Sequence, residues 1–362
     1  MNSAYIFVFI TSFLTLFLMR KVAKKIGLVD KPNARKLHQG AVPLVGGISV
    51  FLSLCVGFIL YLPMNLNLAL YLSCAGVLIV LGVLDDKFDV SFKIRLFVQA
   101  GISLAMIVIG GHSLHNLGYL MGSETIALGE VAGSIITIIA VIGAINAFNM
   151  VDGIDGLLGG LASVTFTALG VVFFTSGNEY LGTFCLLIVT ALIPYILLNL
   201  GFLFGKRYKI FMGDAGSMFI GFSVVWMLIR GTQEPNIDAF KPVTALWLIA
   251  LPLMDMATIM IRRMRKGHSP FKPDREHLHH ICQRMGLSPL MTLFLICLMA
   301  SICAVVGLWA DMSGVEESTM FIAFLGLFAV YFTVINHIWR ITSWINKLLG
   351  RSSSVISTSS NN

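Results

Sequence analysis

Oxygen donors that could hold a divalent cation, and nitrogen donors that could hold a phosphate, gather in a few short runs of this chain. The run DDKFD holds Asp85, Asp86 and Asp89, which one extra helical turn would bring together at i, i+3 and i+4. Acidic groups at a helix C-terminus oppose the macrodipole, so their placement suggests a cation or a proton to be taken up. The run NAFNMVDGIDGL holds Asn146, Asn149, Asp152 and Asp155, with no Lys or Arg between Glu130 and Lys206. Uncompensated polar groups at membrane depth are expensive and usually line a cavity. At a spacing of three they would spiral around an α-helix by about 60° per step. Gly153 and Gly156 are therefore expected to break the helix and let these side chains converge. The run FMGDAGS sets Asp214 among glycines, either as a helix cap or as a cation ligand beside a phosphate drawn to a helix start.

Two further runs supply positive charge. PDREHLHH holds Arg275, His277, His279 and His280, with Lys272 just before it. The HxHH pattern lacks the i, i+4 spacing of helical zinc-binding pairs and has no Cys at ligand spacing. Arg275 with Lys272 and imidazoles makes a better anion clamp, since each group donates to phosphate oxygens. The first polar gap holds Arg35, Lys36 and His38, either as a charged anchor or as phosphate ligands at the same surface. Carboxylates with Arg, Lys and His at one membrane surface fit phosphoryl transfer, in which carboxylates hold Mg²⁺ and cations take up the leaving charge. The acceptor at that depth would be a lipid phosphate. Its second pKa lies near about 6, so it is largely dianionic at neutral pH and hardly needs a general base.

Long apolar segments must position these runs. The chain has 362 residues, 57% hydrophobic and 12% charged, with mean hydropathy +0.88, which excludes an ordinary soluble domain. A span takes about 20 apolar residues. Eleven such stretches occur, near 3–19, 43–62, 66–84, 94–111, 131–148, 157–175, 180–200, 212–229, 242–261, 290–309 and 319–339. The expected fold is an all-α polytopic membrane protein of eleven transmembrane helices. Of the 25 Lys and Arg residues, 23 fall in every second gap, while the opposite gaps hold only Arg230 and Lys241 beside eight carboxylates. Basic residues are retained on the cytoplasmic side during insertion. The N-terminus is thus expected to be periplasmic, the C-terminus cytoplasmic and the active site on cytoplasmic loops.

The first apolar run precedes Arg20, Lys21, Lys24 and Lys25, the reverse of a secretory signal, and no cleavage site follows it, so it is expected to be a retained helix. With no repeat or linker, residues 1–350 read as one transmembrane catalytic domain and 351–362 as a disordered cytoplasmic tail. Five cysteines lie inside spans and Cys282 in a loop, which supports neither a disulfide framework nor a cysteine metal site. Cationic loops beside anionic lipid account for most of the net charge of +7 without any nucleic acid.

The four motif runs, in this order across eleven apolar segments, resemble the polyprenyl-phosphate N-acetylhexosamine-1-phosphate transferases over residues 1–345. The resemblance implies that UDP-GlcNAc and undecaprenyl phosphate give undecaprenyl-diphospho-GlcNAc and UMP, with Mg²⁺ or Mn²⁺, in the bacterial inner membrane. It also implies a first step of lipid-linked O-antigen and enterobacterial common antigen assembly. By the same resemblance Asp214 is the metal-binding residue, and Asp152 and Asp155 belong to the nucleotide-sugar and metal site; Asp155 is the candidate second metal ligand, the pairing of ligands being left open by the sequence. Asp85 and Asp86 match the pair assigned to the lipid phosphate, and His277, His279 and His280 match a loop over the diphosphate. The peptidoglycan-precursor branch carries consecutive histidines there, so HLHH favours a GlcNAc-type donor.

The expected catalytic set is therefore Asp85, Asp86, Asp155 and Asp214. The expected substrate contacts are Lys36, Asn146, Asn149, Asp152, Arg275, His277, His279 and His280. Asp255, near the end of the ninth apolar segment, is expected to pair with Arg262 or Arg263, and the sequence leaves the oligomeric state open, a homodimer being one alternative. An ion-coupled transporter is the rival outside enzymes. It predicts polar groups at mid-span and on both sides, whereas here they crowd one edge. A lipid-binding scaffold would not need the carboxylates.

Overall fold

Apolar runs become helices here because a backbone in lipid must satisfy its own hydrogen bonds. The computed structural model describes residues 2–31, 40–234, 237, 239–269 and 276–348. The tail 351–362, expected to be disordered, lies outside them. The first half of the chain forms α1 (Asn2–Ile26), α2 (Gly46–Tyr61), α3 (Leu66–Phe88), α4 (Phe92–Val108), α5 (Glu130–Val151), α6 (Leu157–Thr175) and α7 (Glu179–Asn199). The second half forms α8 (Gly213–Gln233), α9 (Pro242–Leu248), α10 (Ala250–Arg265), α11 (Leu278–Arg284), α12 (Pro289–Met312) and α13 (Glu317–Leu348). A two-stranded antiparallel ribbon pairs β1 (Val29–Asp30) with β2 (Val42–Pro43), Val29 opposite Pro43.

Each apolar segment of the sequence falls on a helix, with two qualifications of length. Among the described residues eight helices are long and apolar enough to cross a membrane, and α9 with α10 makes a ninth if that pair is one span bent by 81°. The bend falls at Ile249. Helix α2 has 16 residues, and α4 has 17 with Lys93 and Arg95 in its first turn. The protein is thus a multi-pass helical membrane protein.

Helix α8 is the hub. Every residue from Ala215 to Gly231 is buried, against α2, α3, α5, α6 and α9. Protein rather than lipid surrounds it, so it tolerates Ser217, Ser223 and Arg230. Tyr71 of α3 shares a 2.7 Å hydrogen bond with Ser223. One turn before Asp86, Gly82 lets α3 lie directly on Ala215, where any Cβ would collide with the α8 backbone.

The polar gaps sort to two ends, as their charge requires. At the carboxylate-rich end Gln233 accepts from the N–H groups of His115 (2.8 Å) and Asn116 (3.2 Å). Asp311 accepts there from Thr244 and from the Lys241 N–H, at 2.7 and 3.0 Å. Arg230 pairs with Glu234 at 2.6 Å, so its charge is balanced locally. At the basic end the chain before α8 lies against β2. Phe211 N–H donates to Pro43, and the N–H groups at the start of α2 donate back to Phe211 and Met212. Those bonds consume the first amides of α2 and tie the start of α2 to the segment that leads into α8.

Candidate active site

A cleft of about 1480 Å³ opens at the basic end. Its wall is drawn from five separate connections, represented by Asp30, Asp86, Asp152, Lys209 and Arg284. All of these belong to the gaps that hold 23 of the 25 basic residues.

Asp214 is central. Its charge acts on Asp85, Asp86 and Asp152 alike. Asn149, in the last turn of α5, donates through Nδ2 to Asp214 Oδ1 and to Ser217 Oγ, both at 2.8 Å. Both amide hydrogens are thereby used, which fixes the Asp214 carboxylate. The capping role that the sequence leaves open for Asp214 belongs to another residue. Asp86, from the end of α3, accepts from the backbone N–H of Asp214 at 2.9 Å and of Ala215 at 3.4 Å. Met212 at the local N-cap position makes no side-chain cap bond. Gly213 has φ +74°, and the Asp86 carboxylate occupies the space a Cβ would take.

Asp85 faces a different partner. Arg95 of α4 reaches it at 2.6 Å, and the Asp85 side chain is buried. The acidic helix end is therefore compensated from the next helix, after a tight turn in which Asp89 adopts φ 54°. Asp89 thus leaves the helical geometry that would stack it on Asp85.

Between α5 and α6 the helix breaks as the glycines require, with Gly156 at φ +78°. Asp152 and Asp155 both line the cleft. Lys209 donates to Asp155 at 2.6 Å and lies over the Phe211 ring. Desolvation first, then the charges of Asp214 and Asp155, push the Asp152 carboxyl up to about 7. The break is held from behind by Asn199, the last residue of α7. Its Oδ1 accepts from Gly156 N–H at 2.5 Å and its Nδ2 donates to Ile210 O at 2.8 Å.

The histidines divide by depth. His277 is buried, its Nδ1 2.7 Å from Asp255 Oδ2. Asp255 Oδ1 also accepts from Leu278 N–H (3.0 Å) and from the Tyr331 hydroxyl of α13 (2.8 Å). The expected pairing of Asp255 with Arg262 or Arg263 gives way to this arrangement, and Arg262 pairs with Glu276 at 2.9 Å. His279 is buried against Gly153, and burial, then the neighbouring His280 and His277, push its imidazole down to about 3. It is therefore neutral at physiological pH. Only His280 of the three lines the cleft.

Of the residues read from the sequence, the cleft brings together Asp85, Asp86, Asn149, Asp152, Asp155, Asp214 and His280. Asn146 sits one turn deeper, bonded to its own Ile142 carbonyl (2.7 Å) and to Gln99 (3.4 Å), and is not part of the wall. His277 and His279 stand behind the wall and fix the segment that carries His280. Lys36 and Arg275 lie outside the described residues. Sequence reasoning passed over Lys209, Arg95, Asn199 and Tyr331. Asn199 carried a usable signal, a carboxamide closing an apolar run, the same pattern that marks Asn149.

The described wall carries seven aspartates against Lys87, Lys209 and Arg284. Such an excess of hard oxygen donors suits Mg²⁺, which is bound through one or two carboxylates together with substrate phosphates and water. Among the described residues no three or more His, Cys, Asp or Glu side chains are grouped to cage a metal. The six cysteines are free.

A buried acidic cleft at one end of a multi-pass helical bundle, with a capped Asp214 at its centre, defines the class, and the chain belongs to glycosyl transferase family 4, whose model matches residues 68–232. The matched segment runs from α3 to α8 and contains six of the seven aspartates of the wall, all but Asp30. Beyond that segment the likeness extends along nearly the whole chain. A Yersinia pestis protein is 49% identical over 352 residues, 97% of this chain and 96% of its own. An Escherichia coli K12 protein is 50% identical over 96% of this chain and 93% of its own, and one from Haemophilus influenzae 46% over 95% and 96%. Each of the three is named undecaprenyl-phosphate alpha-N-acetylglucosaminyl 1-phosphate transferase.

Proposed function

We propose that this protein transfers GlcNAc-1-phosphate from UDP-GlcNAc to undecaprenyl phosphate, giving undecaprenyl-diphospho-GlcNAc and UMP. The observation that carries the reading is the acidic cleft at the basic end, joined to near full-length likeness to transferases of that name. Two anionic substrates enter such a cleft only with cations to offset the repulsion. Asp214 would hold a Mg²⁺ or Mn²⁺ ion, and Asp152, which lines the same cleft, would be the further oxygen donor in place of Asp155, which is paired to Lys209. The ion supplies charge neutralisation at the diphosphate.

An oxygen of the dianionic lipid phosphate attacks the sugar-bearing phosphorus, and the bond from that phosphorus to the bridging oxygen breaks. UMP leaves with the electron pair. The sugar C1–O bond is untouched, so the anomeric configuration is retained. Lys209 and His280 line the same wall and are placed to donate to phosphate oxygens. We place the cleft on the cytoplasmic side of the bacterial inner membrane, with eleven spans and a periplasmic N-terminus. The product would begin lipid-linked O-antigen and enterobacterial common antigen assembly. Against transport stands the same one-sidedness, since the polar groups at the opposite end pair among themselves.

Purified protein with undecaprenyl phosphate, Mg²⁺ and a panel of UDP-sugars should release UMP with UDP-GlcNAc, and chelation should stop it. No UMP with any donor would overturn the reading. UMP released in a single turnover without lipid phosphate would overturn direct attack in favour of a covalent phosphosugar intermediate.

A further inference from the structure

We infer that Asp86 is a positioning residue which caps α8 from a neighbouring helix and thereby aims Asp214 into the cleft, and is neither the proton acceptor nor a metal ligand. The inference rests on the proposed reaction for its activity readout and on geometry for the rest. Both Asp86 oxygens face backbone N–H groups in the first turn of α8, at 2.9 and 3.4 Å. This is the geometry of an N-cap side chain, supplied here in trans because Met212 makes no side-chain cap bond.

The surroundings leave Asp86 little freedom. It packs against Gly213 in its left-handed conformation, and Gly82, one turn earlier on α3, rests on Ala215. Helices α3 and α8 therefore meet twice beside Asp214, once by backbone packing and once by the cap. The two N–H groups take one acceptor site on each Asp86 oxygen and so fix the plane of the carboxyl group against the first turn of α8. The reaction does not need a proton taken, because the lipid phosphate is already largely dianionic. Asp85, adjacent in sequence, is turned to Arg95 and takes no part in the cap. The two aspartates of the DD pair thus do different jobs.

The cap makes an ordering that a base or a ligand does not. Asp86→Asn keeps an oxygen for the 2.9 Å bond to Asp214 N–H and should retain activity within about tenfold of wild type, as Asn and Asp cap comparably. Asp86→Ala loses both bonds, and misaiming Asp214 should cost about 10²-fold in kcat. The acid limb of the kcat–pH profile should be the same in Asp86→Asn as in wild type, and Mn²⁺ binding followed by EPR should be retained. If Asp86→Asn is as inactive as Asp86→Ala, shifts the acid limb or loses Mn²⁺, the inference is wrong. Should Asp86→Ala fail to fold, the pH profile and Mn²⁺ binding of Asp86→Asn still decide. Should wild type release no UMP, the proposed reaction fails instead. Mn²⁺ retained by Asp86→Asn and lost by Asp214→Asn would then still support the cap, and loss by both would overturn it.

Discussion

Asp214 is fixed from two sides, its carboxylate by Asn149 and its backbone by Asp86. A side chain held in this way offers a cation a set geometry with little reorganisation. Asp214→Asn keeps the volume but removes the charge at the centre of the cluster. UMP release should fall by about 10²–10³-fold or more, with a weakened Mg²⁺ requirement, as measured by a Mg²⁺ titration of initial rates. Asp152 provides a pH test. Its folded carboxyl is raised from the ordinary 3.8 to about 7, so the folded state keeps a proton that the unfolded chain releases. The folded form then binds more protons between these values, and stability falls as pH rises from about 4 to about 7. In metal-free detergent solution the thermal midpoint should decline over that window, and Asp152→Asn should flatten the decline. An unchanged slope in the variant would assign it to other groups.

At the scale of elements one device recurs. Three helices supply a side chain to the start of another element: Asp86 from the end of α3 to α8, Asn199 from the end of α7 to α6, and Asp255 from within α10 to α11. Each cap sits behind a candidate active-site residue. Removing the Asn199 carboxamide leaves buried Gly156 N–H and Ile210 O without partners, so Asn199→Ala should destabilise by about 2–3 kcal/mol and slow turnover through Asp152 and Asp155. Chemical or thermal unfolding beside initial rates would measure both. Tyr331→Phe removes one of the hydrogen bonds on Asp255 and should cost about 1 kcal/mol. The sequence showed where these helices end. It could not show the caps, because donor and acceptor are separated by 128 positions for Asp86 and 43 for Asn199.

Across the whole molecule the polar gaps alternate between two ends, and the cleft draws on only one of them. That topology has a direct test. Ser123 lies exposed in the long connection before α5, and Lys24 lies exposed near the end of α1, in a basic gap. Ser123→Cys should react with an impermeant maleimide on intact cells, and Lys24→Cys only after permeabilisation. The reverse pattern would invert the orientation. The sequence by itself determined the helical membrane class, the sorting of its gaps and most of the carboxylates of the cleft. Hydropathy, charge bias and motif spacing are local quantities, and each is readable without knowing what packs on what. Tertiary structure alone decided which of those residues face the cleft. His277 and His279 turn inward to Asp255 and Gly153 while His280 turns outward, although they lie within four positions of one another. It also decided that Asp85 and Asp86 part company, one to Arg95 and one to α8. Side-chain direction follows from helix phase and from neighbours distant in sequence. Those are set only when the bundle closes around α8.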